Sequence, residues 1–104
     1  MPVVHLTADK TPGPHERALV RPEGKEIALF YVEGRVYAID NKCPHAGSSL
    51  CNGKLDGFVV QCPAHGMRFD LRTGEMPGNP GMHVRSYAVR AEGKDCSLEL
   101  PDEG

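Results

Sequence analysis

Two short motifs hold the residues best suited to chemistry. Cys43-Pro44-His45 sets a thiol and an imidazole with one residue between them, and Cys62-Pro63-Ala64-His65 sets the same pair with two between. Each proline-containing turn offers one soft sulfur donor and one nitrogen donor, so four ligands can converge on one metal ion or one small cluster. Tetrahedral zinc accepts two Cys and two His. The usual zinc fingers pair like with like, however, whereas each motif here mixes the two residue types.

The other cysteines and histidines fit less obvious roles. With four donors already in place, Cys51 is expected to be an ordinary loop residue and Cys96 a small packed side chain. A Cys51–Cys96 disulfide stays open, though a reducing compartment disfavours it. His5, His15 and His83 lack a cysteine at ligand spacing and are expected at the surface or at strand edges. No activated nucleophile, paired carboxylates or phosphate-binding glycine loop is evident, which argues against substrate turnover by this chain.

The elements that must hold these motifs read as strands. The 104 residues suit a single domain, 1–104, with a modest core. Gly (12) and Pro (9) are abundant enough to predict many turns. Short apolar runs predict strands at Val3–Leu6, Ala18–Val20, Met67–Leu71, Val84–Val89 and Ser97–Leu100, and Asn41–Gly66, with the apolar run Phe58–Gln61, reads as two loops flanking a small hairpin. The clearest hairpin joins Ile27–Val32 to Arg35–Asp40 through Glu33-Gly34. Turns are expected at Arg72–Glu75 and Glu92-Gly93, and Pro77–Gly81 reads as a stiff, irregular loop. No internal repeat and no convincing amphipathic helix emerges.

The formal net charge of −2 shows no basic stripe, which argues against a nucleic-acid partner. No apolar window approaches the length of a membrane span, and the N-terminus does not read as a signal peptide. The expectation is a cytoplasmic protein with no membrane association.

The two motifs, with Gly47 after the first and Gly66-Met67-Arg68-Phe69-Asp70 after the second, resemble the Rieske family, most closely its small soluble ferredoxins. The resemblance implies an all-β fold, an antiparallel sandwich or barrel with a small cluster-binding subdomain, about residues 41–76, inserted between base strands. It implies one [2Fe–2S] cluster per chain, with Cys43 and Cys62 on one iron and His45 and His65 on the other. It also implies an electron carrier, monomeric when free, between a flavin-dependent NAD(P)H reductase and a terminal oxygenase. An alternative is the small electron-transfer subunit of a nitrite reductase-type enzyme, and a structural zinc or interaction module is the reading from another class.

The high-potential members of that family carry two further cysteines, at positions held here by Ser48 and Ala64, and a serine where this chain has Met67. Hydrogen bonds toward the cluster sulfurs raise the potential, so their loss predicts the lower part of the family range. Pro77–Gly81 matches the position of a loop that covers the cluster. From Cys43 to Phe69 the only charged side chains are Lys54, Asp56 and Arg68, so a nearly neutral tip is expected, with Leu50, Met67, Pro80 and Met82 nearby.

Overall fold

A computed structural model describes residues 3–13, 16–43, 49–63 and 66–100 of the chain. The expectations at His15, His45, Gly47, Ser48, Ala64 and His65 lie outside the described residues.

The strands pair antiparallel throughout. One sheet orders β1 (Val3–Leu6), β12 (Asp95–Glu99) and β11 (Val89–Glu92). A second orders β10 (Ser86–Tyr87), β4 (Arg35–Asp40), β3 (Ile27–Val32) and β2 (Arg17–Val20). A third consists of β5 (Lys54–Asp56), β6 (Val59–Gln61) and β7 (Arg68–Asp70), in that order. β8 (Glu75–Met76) and β9 (Asn79–His83) form a separate pair. Three short 3₁₀ turns, at Ala8–Lys10, Pro22–Gly24 and Leu50–Asn52, are the helical segments among the described residues.

The β3–β4 hairpin forms where the sequence places it. Glu33 and Gly34 both have positive φ, 50° and 82°, as a two-residue type I′ turn requires. β3 is apolar along its whole length because both of its faces are covered. Ala28, Phe30 and Val32 join Ile39, Val60, Phe69 and Leu71 in one buried cluster. Ile27 and Leu29 point the other way, into a second cluster with Leu6, Tyr87, Cys96 and Leu98. The period-2 alternation of a strand thus feeds two cores from one segment. Burying a side chain such as Phe30 or Leu98 stabilises by about 1.5–3 kcal/mol, enough for both cores to contribute.

The structure corrects three local expectations. Val84–Val89 is not one strand. β10 pairs with β4, the chain then turns at Ala88, whose carbonyl accepts the Glu99 N–H at 3.0 Å, and β11 joins the other sheet. Pro77–Gly81 is not irregular either. Met76 pairs with Asn79 across Pro77-Gly78, with Gly78 at φ 83°, so proline and glycine close a hairpin turn and β9 follows. Glu75, expected in a turn, opens β8 and pairs with His83. At Gly74, φ is 81° and a Cβ would collide with the Val84 carbonyl oxygen, so only glycine fits.

Candidate metal centre

Cys43 and Cys62 leave different sheets and belong to one buried cluster. Cys43 follows β4 and Cys62 follows β6, and both are 1% exposed in the cluster built on Phe30, Leu50, Val60 and Phe69. The sheet β5–β6–β7 supplies the second position: Leu55, Val60 and Phe69 form a cross-strand row facing inward. Lys54, Gln61 and Arg68 form a neighbouring row, in which Lys54 and Arg68 are exposed.

After Cys62 the chain turns sharply. The Cys62 N–H donates to the Met67 carbonyl at 2.6 Å, and the Gly66 N–H donates to the Cys62 carbonyl at 3.1 Å. These bonds bring Gly66 and Met67 back against Cys62. The Cys43 Sγ lies 3.9 Å from the Met67 Sδ. Cys43 therefore approaches Met67, a residue just past the second motif, across a wide sequence separation. Met67 and Met82 pack, partly buried, against the cluster that contains both cysteines.

The donor chemistry fits a sulfur-ligated cluster. Two buried cysteines, neither in a disulfide, flank one apolar, water-poor region, and thiolates are the soft donors that iron–sulfur clusters use. The other two expected donors, His45 and His65, lie outside the described residues. Among the described residues, no three His, Cys, Asp or Glu side chains gather into a metal site.

The remaining residues of interest separate clearly. Cys51 is half-buried, and burial pushes its thiol pKa up, opposed by the nearby Arg17 charge. Cys96 is buried at 3.4 Å from the Thr11 hydroxyl, as a packed side chain. All four cysteines are free, so Cys51 and Cys96 are not joined to each other in this structure. His83 is exposed on β9. His5 is exposed but not idle: its Nδ1 lies 3.2 Å from Glu92 and its Nε2 3.1 Å from Asp95, bridging β1 to the β11–β12 hairpin. The Ser97 hydroxyl also donates to Glu92, and that bond, followed by those of His5, holds the Glu92 carboxyl below its ordinary pKa.

Leu50, expected near a surface tip, is fully buried. The 3₁₀ turn Leu50–Asn52 faces it inward, into the cluster that also holds Cys43 and Cys62. Sequence reasoning missed Arg17. Its Nη1 donates to the carbonyls of Cys51 at 2.9 Å and Gly53 at 2.5 Å, while its guanidinium lies 5.3 Å from the Phe30 ring centroid. No local pattern announces that role. At Gly53 a Cβ would collide with the Gln61 carbonyl oxygen, so a glycine lets β5 approach the strand that leads into Cys62.

Comparison with known proteins converges on one family. A family model described as the Rieske [2Fe-2S] domain matches residues 2–88. The ferredoxin component of the naphthalene 1,2-dioxygenase system of Pseudomonas aeruginosa is 40% identical over 82 residues, which are 78% of this chain and 79% of that protein. The ferredoxin of carbazole 1,9a-dioxygenase from Nocardioides aromaticivorans IC177 superposes with a TM-score of 0.79 at 28% identity, covering 94% of this chain and 97% of that one. A ferredoxin solved in complex with the reduced oxygenase of carbazole 1,9a-dioxygenase gives a TM-score of 0.76 at 27% identity, over 92% of this chain and 91% of that one.

Proposed function

This chain belongs to the Rieske [2Fe–2S] domain family, and on that premise we propose that it takes one electron from a flavin-dependent NAD(P)H reductase and passes it to the terminal oxygenase of an aromatic-ring dioxygenase system. It is an electron-transfer component rather than an enzyme, and its cofactor is a [2Fe–2S] cluster. When bound, the cluster supplies a centre that gains and loses one electron, and two imidazoles in place of thiolates make that centre less negative than an all-cysteine one.

The protein's own residues do the rest. Cys43 and Cys62 are assigned to one iron, and His45 and His65 to the other. The observation that carries the reading is that Cys43 and Cys62, arriving from separate sheets, sit buried in one apolar cluster. That cluster keeps water from the sulfur ligands, and the paired strands around it limit movement on electron transfer. Residues about 41–76 form the cluster-binding part of a single domain, 1–104, and Met82 on the β8–β9 hairpin helps cover it. No helix among the described residues is long and apolar enough to cross a membrane; the proposed setting is cytoplasmic. A ferredoxin relative is known in complex with an oxygenase, which supports the acceptor side. The protein when free is a monomer that docks briefly and leaves.

The test is single-turnover mixing. Chemically reduced protein is mixed with a naphthalene dioxygenase-type terminal oxygenase, and cluster absorbance is followed by stopped flow. Rapid reoxidation, with stoichiometric reduction of the oxygenase, is expected. Reoxidation by a nitrite reductase-type catalytic subunit alone would overturn the assignment.

A further inference from the structure

We propose that Asn41 is a positioning residue for the cluster, holding the mouth of the first ligand loop at a fixed width. The proposal rests on the reading that Cys43 and His45 are ligands. Asn41 is 1% exposed, and it and Ser97 are the buried polar residues among those described. It stands between the end of β4 and the loop that starts at Lys42, two residues before Cys43.

Every polar group of Asn41 is engaged. Its backbone N–H donates to the Glu26 carbonyl at 2.9 Å, anchoring it to the approach to β3. Its backbone carbonyl accepts the Leu50 N–H at 2.7 Å. Its Oδ1 accepts the Ser49 hydroxyl at 3.0 Å and the Cys51 N–H at 2.9 Å. Its Nδ2 donates to the Glu26 carboxylate at 3.3 Å. Lys42 and Ser49 also form an antiparallel bridge.

One side chain therefore ties the residue that enters the loop to the residues that leave it. The chain just before Cys43 is thus tied to Ser49, Leu50 and Cys51 at a single point. A purely apolar residue here would leave the Cys51 N–H and the Ser49 hydroxyl without their acceptor, so the exit of the loop would drift. The Glu26 bond sets the amide orientation, because only the oxygen can accept from Ser49 and Cys51 while the nitrogen donates to a carboxylate. Fixing the loop mouth fixes the direction from which the Cys43 sulfur approaches iron. Groups that orient metal ligands in this way govern how firmly the metal is held.

The experiment uses the holoprotein. Iron release to excess bathophenanthroline after dithionite reduction is followed by absorbance, together with the EPR spectrum of the reduced cluster. Asn41→Ala is expected to speed release by about 10–100-fold, the factor by which losing a group that orients a metal ligand lowers metal affinity, and to broaden the EPR lines. Ser49→Ala removes one bond and should speed release less, which keeps the test open if Asn41→Ala does not fold. The double variant Asn41→Asp with Glu26→Gln preserves both acceptor bonds, reverses the third and keeps the net charge. It should return release to near the parent rate, which a general loss of packing would not do. Parent-like release and EPR in Ser49→Ala and in any folded Asn41→Ala would overturn the proposal, as would failure of the double variant to rescue. A parent protein with no [2Fe–2S] signal would overturn the ligand reading itself, an outcome distinguishable from the others.

Discussion

The Sγ of Cys43 and the Sδ of Met67 lie 3.9 Å apart. The turn after Cys62 thus lays a thioether against the first ligand loop. A thioether donates no hydrogen bond, whereas a hydroxyl at this position could donate toward sulfur. Donors toward cluster sulfurs stabilise the reduced, more negative state. The midpoint potential of the parent should fall in the lower part of the Rieske range of about −150 to +300 mV, and Met67→Ser should raise it. Protein-film voltammetry of both forms decides the matter. A parent midpoint well above about +100 mV contradicts the account.

The histidine assignment is tested by charge. His45→Cys and His65→Cys each put a thiolate where a neutral imidazole is expected. Either variant should lower the potential or lose the cluster. An intact cluster at the parent potential would show that the replaced residue is not a ligand.

Cys51 should be irrelevant to the cluster and slow to react. Burial raises its thiol pKa, so at neutral pH the reactive thiolate is scarcer than for an ordinary cysteine. Cys51→Ser should leave the visible absorption spectrum intact. Iodoacetamide labelling followed by mass spectrometry should show little modification at pH 7, and more as the pH rises toward the thiol pKa.

Asp70 links stability to acid. The Arg72 side chain donates to Asp70 from Nε at 3.0 Å and from Nη2 at 2.8 Å, and this holds the carboxyl below its ordinary pKa against the opposing effect of burial. The same guanidinium lies 4.4 Å from the Phe58 ring centroid. Because the folded carboxyl is the stronger acid, its contribution is complete above the unfolded carboxylate pKa and is lost as pH falls through the lower folded value. Asp70→Asn should reduce the melting temperature at pH 7 and flatten its fall below about pH 4. Parallel parent and variant melting curves from pH 7 to pH 2 would exclude this linkage.

Two glycines are fixed by contact. Gly53→Ala and Gly74→Ala each drive a methyl group into a backbone carbonyl, of Gln61 and Val84 respectively. Overpacking of this kind costs about 1–3 kcal/mol, and Gly74 adds the strain of positive φ. Gly57→Ala is the control, since it shares the positive φ and meets no neighbour. Urea unfolding should rank Gly74→Ala as the most destabilised of the three.

The sequence by itself determined the donor types, their mixed spacing, the all-β character and the β3–β4 hairpin. These are written within a few residues: a thiol beside an imidazole, or a Glu-Gly pair able to take positive φ. Tertiary structure decided what depends on residues far apart in the chain. Periodicity shows that β3 is apolar but not that two separate cores cover its faces. It cannot place Leu50 inside, or break the last strands at Ala88, because the Glu99 N–H that meets the Ala88 carbonyl comes from another strand. The metal centre divides the same way. Cys43, His45, Cys62 and His65 are legible as a candidate quartet, whereas the Cys43–Met67 approach, the Arg17 grip on Cys51 and Gly53 and the Asn41 clamp arise only when distant segments pack. Ligand identity is a property of local chemistry; ligand placement is a property of the packing and hydrogen bonds that bring separate strands together.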